Sequence, residues 1–263
     1  MKILLGPAGS PARSSIEGLS AVRELGLQAM EVEFTHGMNM SNALAKQIGE
    51  ENKIQKISLS VHAPYYINLA SEEKAKITAS KKRILDSCER AHYMGASQVV
   101  FHAAFYGKRD KEEIYQIVKK ETLDMQKTIK KNKWNVKLAP ETTGKQSQFG
   151  TLDELLRLKK DTNCSFCIDF AHIFARNNGK INYKEIFIKT KSLKYLHCHF
   201  SGINYTAKGE RNHVNLNGKP SFKDLAKEIL KRKLNITIIC ESPITWRDSL
   251  KMKKIFEKLG YKF

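Results

Sequence analysis

The chain has 263 residues, of which 41% are hydrophobic and 28% are charged. This composition excludes a disordered chain and supplies enough apolar material for a large core. Its apolar runs fall short of the roughly 18 to 20 residues that a membrane span needs. The N-terminal segment MKILLGPAGS also lacks the longer apolar region and cleavage site of a secretory signal. We therefore expect an intracellular, cytoplasmic protein with no membrane partner.

The formal net charge is +19, from 46 lysines and arginines against 27 acidic residues. Such an excess favours polyanionic partners, because basic side chains release counterions from a phosphate backbone. The alternative is a lysine-rich composition whose charges only solvate helix faces, and segment 119–133 has that character. Charge alone leaves both interpretations open.

Five cysteines occur in the chain, an odd number in a sequence with no export signal. We expect reduced thiols rather than a disulfide framework. Cys164 and Cys167 form a C-x-x-C, but they lie in an apolar strand-like run. A separation of three residues in a strand directs two side chains to opposite faces, which argues against a redox or zinc role for this pair.

Eight short apolar runs recur along the chain with helical patterns between them. Near-continuous apolar runs of this length are typical of parallel strands that are buried on both faces. The predicted strands are KILLG (2–6), AMEVEF (29–34), KISLSV (56–61), SQVVFH (97–102), NVKLAPE (135–141), SFCIDF (165–170), KYLHCHF (194–200) and ITIICE (236–241).

Capping residues mark the helices between these strands. Serine or threonine followed three residues later by an acidic residue is typical of a helix start, and glycine after periodic apolar residues is typical of a helix end. The predicted starts of this kind are Ser14, Thr151 and Ser221, and the predicted ends are Gly26, Gly95 and Gly260. Ser71 opens a further long helical pattern. Met252, Ile255, Phe256 and Leu259 form the buried face of the last helix.

Alternation of eight strands with helices predicts an α/β fold, a (β/α)8 TIM barrel. One such barrel needs about 250 residues, so we expect a single domain over residues 1–263. No glycine- or serine-rich linker and no tandem repeat divides the sequence.

Polar residues follow the predicted strands at the points where they end. The C-terminal ends of barrel strands converge on one face, so these side chains are expected to be neighbours. They are His62, His102, Glu141, Asp169, His172, His199 and Glu241, with His213 in the long loop after the seventh strand. Each alone has a structural explanation, but together they match the imidazole and carboxylate ligands of zinc. Burying them all without a cation would be costly.

The other histidines receive different interpretations. His92 belongs to a helix face, and His197 lies one pleat deeper than His199, as a core or supporting group. His36 follows the second strand, and both a structural and a functional interpretation stay open for it.

Seven separated motifs carry a resemblance to a known family. They are HAPYYINLAS, FHAAFYG, PETTGKQSQFG, IDFAH, HCHFSG, the GERNH loop and CESP. In this order and spacing they resemble the endonuclease IV family of apurinic/apyrimidinic endonucleases. The resemblance covers nearly the whole chain and does not depend on any single motif.

The resemblance implies a barrel that holds two or three zinc ions, with manganese as the alternative metal. His62, His102 and Glu141 would bind the first ion. Glu141 would bridge to a second ion, whose other ligands would be Asp169, His199 and Glu241. His172 and His213 would bind the third.

One position departs from the family pattern. Family members carry an aspartate two residues before the last histidine, where this chain has Arg211, with Glu210 one position further back. Three alternatives stay open: Glu210 reaches the third ion, water or a weaker ligand completes its shell, or the ion is loosely held.

The resemblance also implies DNA contacts. Tyr65 and Tyr66 match the loop that enters the duplex beside the lesion, where an aromatic ring could fill the gap left by a flipped-out sugar. The other wedge of the family, an arginine after the second strand, falls at Asn39, so that contact is changed or lost.

The implied function is a zinc-dependent apurinic/apyrimidinic endonuclease of DNA base-excision repair. It would cut double-stranded DNA, as a monomer, at the phosphodiester 5′ to an abasic site, giving a 3′-hydroxyl and a 5′-deoxyribose phosphate. Zinc would activate the attacking water, which needs no side-chain nucleophile. Glu141 would act chiefly as the bridging ligand.

Two alternatives remain. A metal-dependent sugar isomerase or epimerase of the xylose-isomerase-like barrels would place Glu141, Asp169, His199 and Glu241 around one metal. The additional histidines, His62, His102, His172 and His213, argue against a single metal. A catalytically silent DNA-binding protein on the same barrel is the second alternative, and the complete first two ligand sets argue against it.

Overall fold

Ten strands and nine helices occur in residues 1–34 and 37–263, which the computed structural model describes. The strands are β1 (Ile3–Pro7), β2 (Ala29–Glu33), β3 (Ser58–His62), β4 (Gln98–Phe101), β5 (Lys137–Pro140), β6 (Cys167–Asp169), β7 (Leu196–Phe200), β8 (Gly202–Thr206), β9 (Gly209–Val214) and β10 (Ile236–Cys240). The helices are α1 (Ser15–Glu24), α2 (Asn42–Gln55), α3 (Lys74–Met94), α4 (Lys111–Lys131), α5 (Leu152–Thr162), α6 (Phe170–Arg176), α7 (Tyr183–Lys189), α8 (Phe222–Arg232) and α9 (Thr245–Lys258).

Residue contacts divide the chain into two compact units. The first unit comprises Met1–Met30, Gly144–Gln146 and Ile168–Phe263. The second unit comprises Glu31–Thr143 and Ser147–Cys167. The expectation of a single barrel domain over residues 1–263 stays a prediction.

The first unit contains most of a four-stranded sheet with the order β1-β10-β7-β6. β10 pairs in parallel with both of its neighbours, with Ile236 opposite Ile3 on one side and Leu196 on the other. Every residue of β7 and β10 is buried. Burial on both faces explains why these strands appear in the sequence as apolar runs rather than alternating patterns.

The second unit contains most of the other four-stranded sheet, with the order β2-β3-β4-β5. β3 and β4 run parallel with Val61 opposite Val99, and β4 and β5 run parallel with Gln98 opposite Lys137. Parallel strands carry their C-terminal ends to the same edge of a sheet, so the residues that end β3, β4 and β5 are neighbours.

All eight predicted strands occur, as β1 to β7 and β10, with ends within two residues of the prediction. One element was not predicted. The segment expected to be a long loop after the seventh strand contains an antiparallel hairpin of β8 and β9. Its polar sequence lacks the apolar alternation that reveals a strand.

Predicted caps are also found. Ser14, Thr151 and Ser221 each accept a hydrogen bond from a backbone N–H in the first helical turn. Gly95, with φ of 71°, ends α3. The predicted start of α3 at Ser71 is early, because the helix begins at Lys74 and the Ser71 hydroxyl instead accepts from the Glu73 N–H.

Within the described ranges, no helix combines the length and apolar character needed to cross a membrane.

Thr151 allows a test of how much helix capping contributes to stability. Its side chain accepts from the Glu154 N–H at 3.2 Å, and the Glu154 carboxylate accepts from the Thr151 N–H at 2.8 Å. Replacing Thr151 by alanine removes the first bond and is expected to lower the free energy of unfolding by about 1 kcal/mol. Thr151→Ser keeps the hydroxyl and should cost much less. Urea denaturation measures both, and equal losses would assign the effect to methyl packing instead.

Candidate metal centre

Three predicted ligands meet in the second unit, and we call His62, His102 and Glu141 the first cluster. His62 ends β3, while His102 and Glu141 directly follow β4 and β5. Their ligand atoms lie within 4.8 Å of one another. A Glu141 oxygen is 2.9 Å from His102 Nε2 and 3.4 Å from His62 Nε2. Parallel pairing of the three strands thus brings residues that are distant in sequence together in one cluster.

The His62 ring is held in one orientation. Its Nδ1 donates to the backbone oxygen of Ala63 at 2.8 Å, which leaves Nε2 facing Glu141. A bond of this kind fixes the tautomer and aims the other nitrogen at a metal. Burial by itself lowers the pKa of His62, but the hydrogen bond to Glu141 and the charges of Glu33, Glu141 and Glu31 outweigh it and raise the pKa to about 10. The surroundings therefore favour positive charge at this point.

Two carboxylates near the first cluster were missed by the sequence reasoning. Glu31 and Glu33 lie on the same face of β2, and Glu31 is fully buried. The Ser60 hydroxyl donates to Glu31 at 2.6 Å. A signal was present in the sequence, because two acidic residues at i and i+2 interrupt an otherwise apolar strand, AMEVEF.

A second group of ligands meets in the first unit, and we call Asp169, His172, Glu210 and His213 the second cluster. Asp169 ends β6 and caps α6, where it accepts from the His172 N–H at 2.6 Å. His172 Nε2 is 3.2 Å from His213 Nε2 and 3.5 Å from Glu210 Oε2. His213 Nε2 is 3.9 Å from the other Glu210 oxygen. Glu210, the first of the three alternatives above, thus lies beside the Nε2 atoms of both histidines.

A β-bulge explains how Glu210 reaches the histidines. In the hairpin, Tyr205 is opposite Glu210 and Asn204 is opposite Asn212, so Arg211 is the extra residue of β9. Side chains three residues apart in a regular strand point to opposite faces. One extra residue restores the phase, so Glu210 and His213 face the same side. Arg211, at the position of the family aspartate, is exposed.

Gly144 makes room for the Glu210 side chain. A Cβ added at Gly144 would lie 2.7 Å from Glu210 Oε2 and 3.0 Å from His172 Cδ2. The Gly144 carbonyl also accepts from the Glu210 N–H at 3.0 Å. The glycine of the PETTGKQ motif therefore has a steric reason to be there, because any side chain would enter the second cluster.

Two further predicted ligands lie in the first unit. His199 is in β7 and Glu241 directly follows β10, and His199 Nδ1 is 3.0 Å from a Glu241 oxygen. The other Glu241 oxygen is 3.7 Å from His213 Nδ1, which also lies 2.9 Å from the Ser201 hydroxyl. These contacts leave His213 Nε2 facing the second cluster.

The donor atoms of the first cluster, and those of His172, His213 and Glu210 in the second, fit zinc. Nitrogen and oxygen ligands of one tetrahedral zinc ion stand roughly 3.3 Å apart, because each bond is about 2.0 Å long. The separations given above run from 2.9 to 3.4 Å in the first cluster and from 3.2 to 3.9 Å in the second. The chemistry of the donors, imidazole with carboxylate, also suits this ion.

The predicted DNA-contact residues lie on the surface, whereas His197 is buried as expected for a core or supporting group. Tyr65 and Tyr66 are exposed, and the Tyr65 ring centre is 5.8 Å from that of His62. Asn39 is exposed in the segment before α2. His92 accepts from the Asn135 N–H, a structural contact. His36 lies outside the described residues.

Comparison with known proteins connects this geometry to a family. A family model described as "Xylose isomerase-like TIM barrel" matches residues 19–257. An uncharacterized protein of Methanocaldococcus jannaschii is 36% identical, over 98% of both chains. A protein named "Probable endonuclease 4" from Aster yellows witches'-broom phytoplasma is 30% identical, over 72% of this chain and 68% of its own.

Solved structures of two different activities are similar to this one. Endonuclease IV from Thermus thermophilus aligns with a TM-score of 0.75 and 19% identity, over 98% of both chains. The 3-keto-D-glucoside 4-epimerase YcjR from E. coli aligns with a TM-score of 0.72 and 15% identity, over 97% of this chain and 99% of its own. These likenesses confirm the predicted (β/α)8 fold. With the family match over residues 19–257, they lead to the conclusion that this chain belongs to the xylose isomerase-like TIM barrel family.

Proposed function

We propose that the protein is a metal-dependent apurinic/apyrimidinic endonuclease that hydrolyses double-stranded DNA on the 5′ side of an abasic site. The observation that carries the proposal is the second cluster, in which His172 and His213 present their Nε2 atoms 3.2 Å apart beside Glu210. A one-metal isomerase has no need of this cluster in addition to the first. The net charge of +19 supports an anionic substrate.

The proposed ligand roles follow the resemblance, with one change. His62, His102 and Glu141 would hold one ion, and Glu141 would share in holding a second with Asp169, His199 and Glu241. His172, His213 and Glu210 would hold a third, with Glu210 in place of the family aspartate. Zinc is the proposed metal, and manganese is the alternative.

Bound zinc would polarise the phosphodiester, lower the pKa of the attacking water and stabilise the leaving oxygen. The protein orients the imidazole rings that would hold the ions. The carbonyl of Ala63 fixes the His62 ring, and the hydroxyl of Ser201 contacts His213 Nδ1. Rings held in this way need little reorganisation when the reaction occurs.

Substrate contacts are proposed at the exposed aromatic residues beside the first cluster. Tyr65 and Tyr66 would occupy the space that an extruded abasic nucleotide leaves in the duplex. An abasic sugar offers no base edge, so selection would depend on backbone deformability and pocket size rather than on sequence.

The second candidate function is a metal-dependent sugar epimerase. The observation that favours it is the acidic pair on β2, where Glu31 is buried and Glu33 lies on the same face. Carboxylates accept hydrogen bonds from sugar hydroxyls, whereas they repel a phosphodiester.

An incision assay separates the two functions. We expect the zinc-loaded protein to cut a duplex that carries one tetrahydrofuran abasic-site analogue, on its 5′ side, leaving an end that a DNA polymerase extends. A chelator should abolish the cut, and His213→Ala should slow it about 100-fold, the scale of losing one contact to the transition state. His92→Gln removes an imidazole outside both clusters and should leave the rate unchanged. Absence of incision together with epimerisation of a free ketose would refute the proposal.

Glu210 is tested by metal content. Glu210→Gln keeps the size of the side chain but removes its charge, so we expect one equivalent of zinc to be lost on dialysis. Arg211→Gln changes the neighbouring, exposed residue and should retain the full content. Elemental analysis measures both, and circular dichroism confirms that the variants are folded. Full zinc content in Glu210→Gln would exclude Glu210 as a ligand.

A further inference from the structure

Five lysines surround a pocket of about 420 Å³ in the first unit, lined by residues of α8, α9 and the loop before α8. Its apolar lining includes Leu216, Phe222 and Ile255. The lysines are Lys219, Lys223, Lys251, Lys254 and Lys258, and we call this site the lysine pocket. None of them belongs to the metal centre described above.

Most of this positive charge is not neutralised by acidic neighbours. Lys251 lies 2.7 Å from the buried Asp248. For the other four lysines, no carboxylate in the described part of the chain lies within 4.0 Å of the ammonium group. Asp224, which follows Lys223, is 4.0 Å from Lys227 instead. Lysines on other helices do form ion pairs, such as Lys82 with Asp86. What distinguishes the four unpaired lysines is that they line one pocket.

The lysine pocket is tied to the hairpin that carries the second cluster. The Leu216 N–H donates to Asp248 at 2.8 Å, which fixes the loop that enters the pocket. Leu216 is three residues after His213, so an extended chain places them at most about 10 Å apart. The lysine pocket therefore lies on the flank of the second cluster, within reach of the backbone of a strand held there.

We propose that the lysine pocket binds the phosphate backbone of nucleic acid on the flank of the phosphodiester held at the second cluster. This inference rests on the proposed function and adds a contact on the flank of the substrate. Lysine acts as a point charge, so the contact is independent of sequence. Among the described residues, no exposed large apolar side chain lies in the pocket, which disfavours a membrane surface.

Binding of undamaged duplex tests the proposal without incision. With a chelator present, fluorescence anisotropy of a labelled duplex is measured over a range of salt concentrations. In the triple variant Lys223→Gln, Lys254→Gln, Lys258→Gln we expect Kd to rise about tenfold or more and the salt slope to fall by about three, roughly one per lost phosphate contact. The control variant Lys120→Gln, Lys127→Gln, Lys131→Gln removes the same charge from exposed positions on α4 and should change the slope by less than one.

The outcomes separate this inference from the proposed function. Equal effects of the two triple variants would overturn the lysine pocket, even if the wild-type protein cuts abasic DNA. A specific loss in the pocket variant would support it, even if the wild-type protein fails to cut. Loss of binding to phosphatidylserine vesicles with unchanged duplex binding would assign the pocket to a lipid surface and overturn the proposal.

Discussion

The contact between the buried Glu141 carboxylate and the Nε2 atoms of His62 and His102 is the interaction on which the candidate metal centre depends. A carboxylate removed from water is unfavourable by several kcal/mol unless positive charge replaces its hydration. The backbone bond from Nδ1 of His62 prevents that ring from turning away. A proton on the imidazole or a shared divalent ion satisfies the carboxylate, and the ion can serve both rings at once. The first cluster is therefore arranged for a cation before one binds.

The positions of these residues could be predicted because they depend on local rules. An apolar run that ends in a histidine and is followed by Ala63-Pro64 must stop there, since the residue before proline avoids helical conformations. Parallel pairing then brings such ends together, as Val61 opposite Val99 shows for β3 and β4. The position of His62 at a strand end could therefore be predicted without information on distant residues, apart from the order of the strands.

Glu210 could not be predicted in the same way, because its direction depends on register rather than on sequence spacing. Counting back two residues from His213 gives Arg211, yet the bulge removes Arg211 from the ladder and turns Glu210 inward. The register depends on a long-range contact, the bridge between Lys145 and Gly209, and on the positive φ of 101° that Gly209 adopts there. The hairpin of β8 and β9 could not be predicted for a related reason. Backbone pairing forms it, and apolar burial leaves no pattern in its polar sequence.

The shared barrel does not decide between a phosphodiester and a sugar as substrate, but the charges lining it can. In the second unit, Glu31, Glu33 and Glu141 bring three carboxylates to the region of His62. A phosphodiester adds a further negative charge and would be repelled from a site with one divalent ion or none. Each divalent ion offsets two of these charges and so weakens the repulsion of a phosphodiester, whereas a neutral sugar hydroxyl meets no such repulsion. The number of ions that these residues hold, rather than the fold, therefore determines which substrate class can approach.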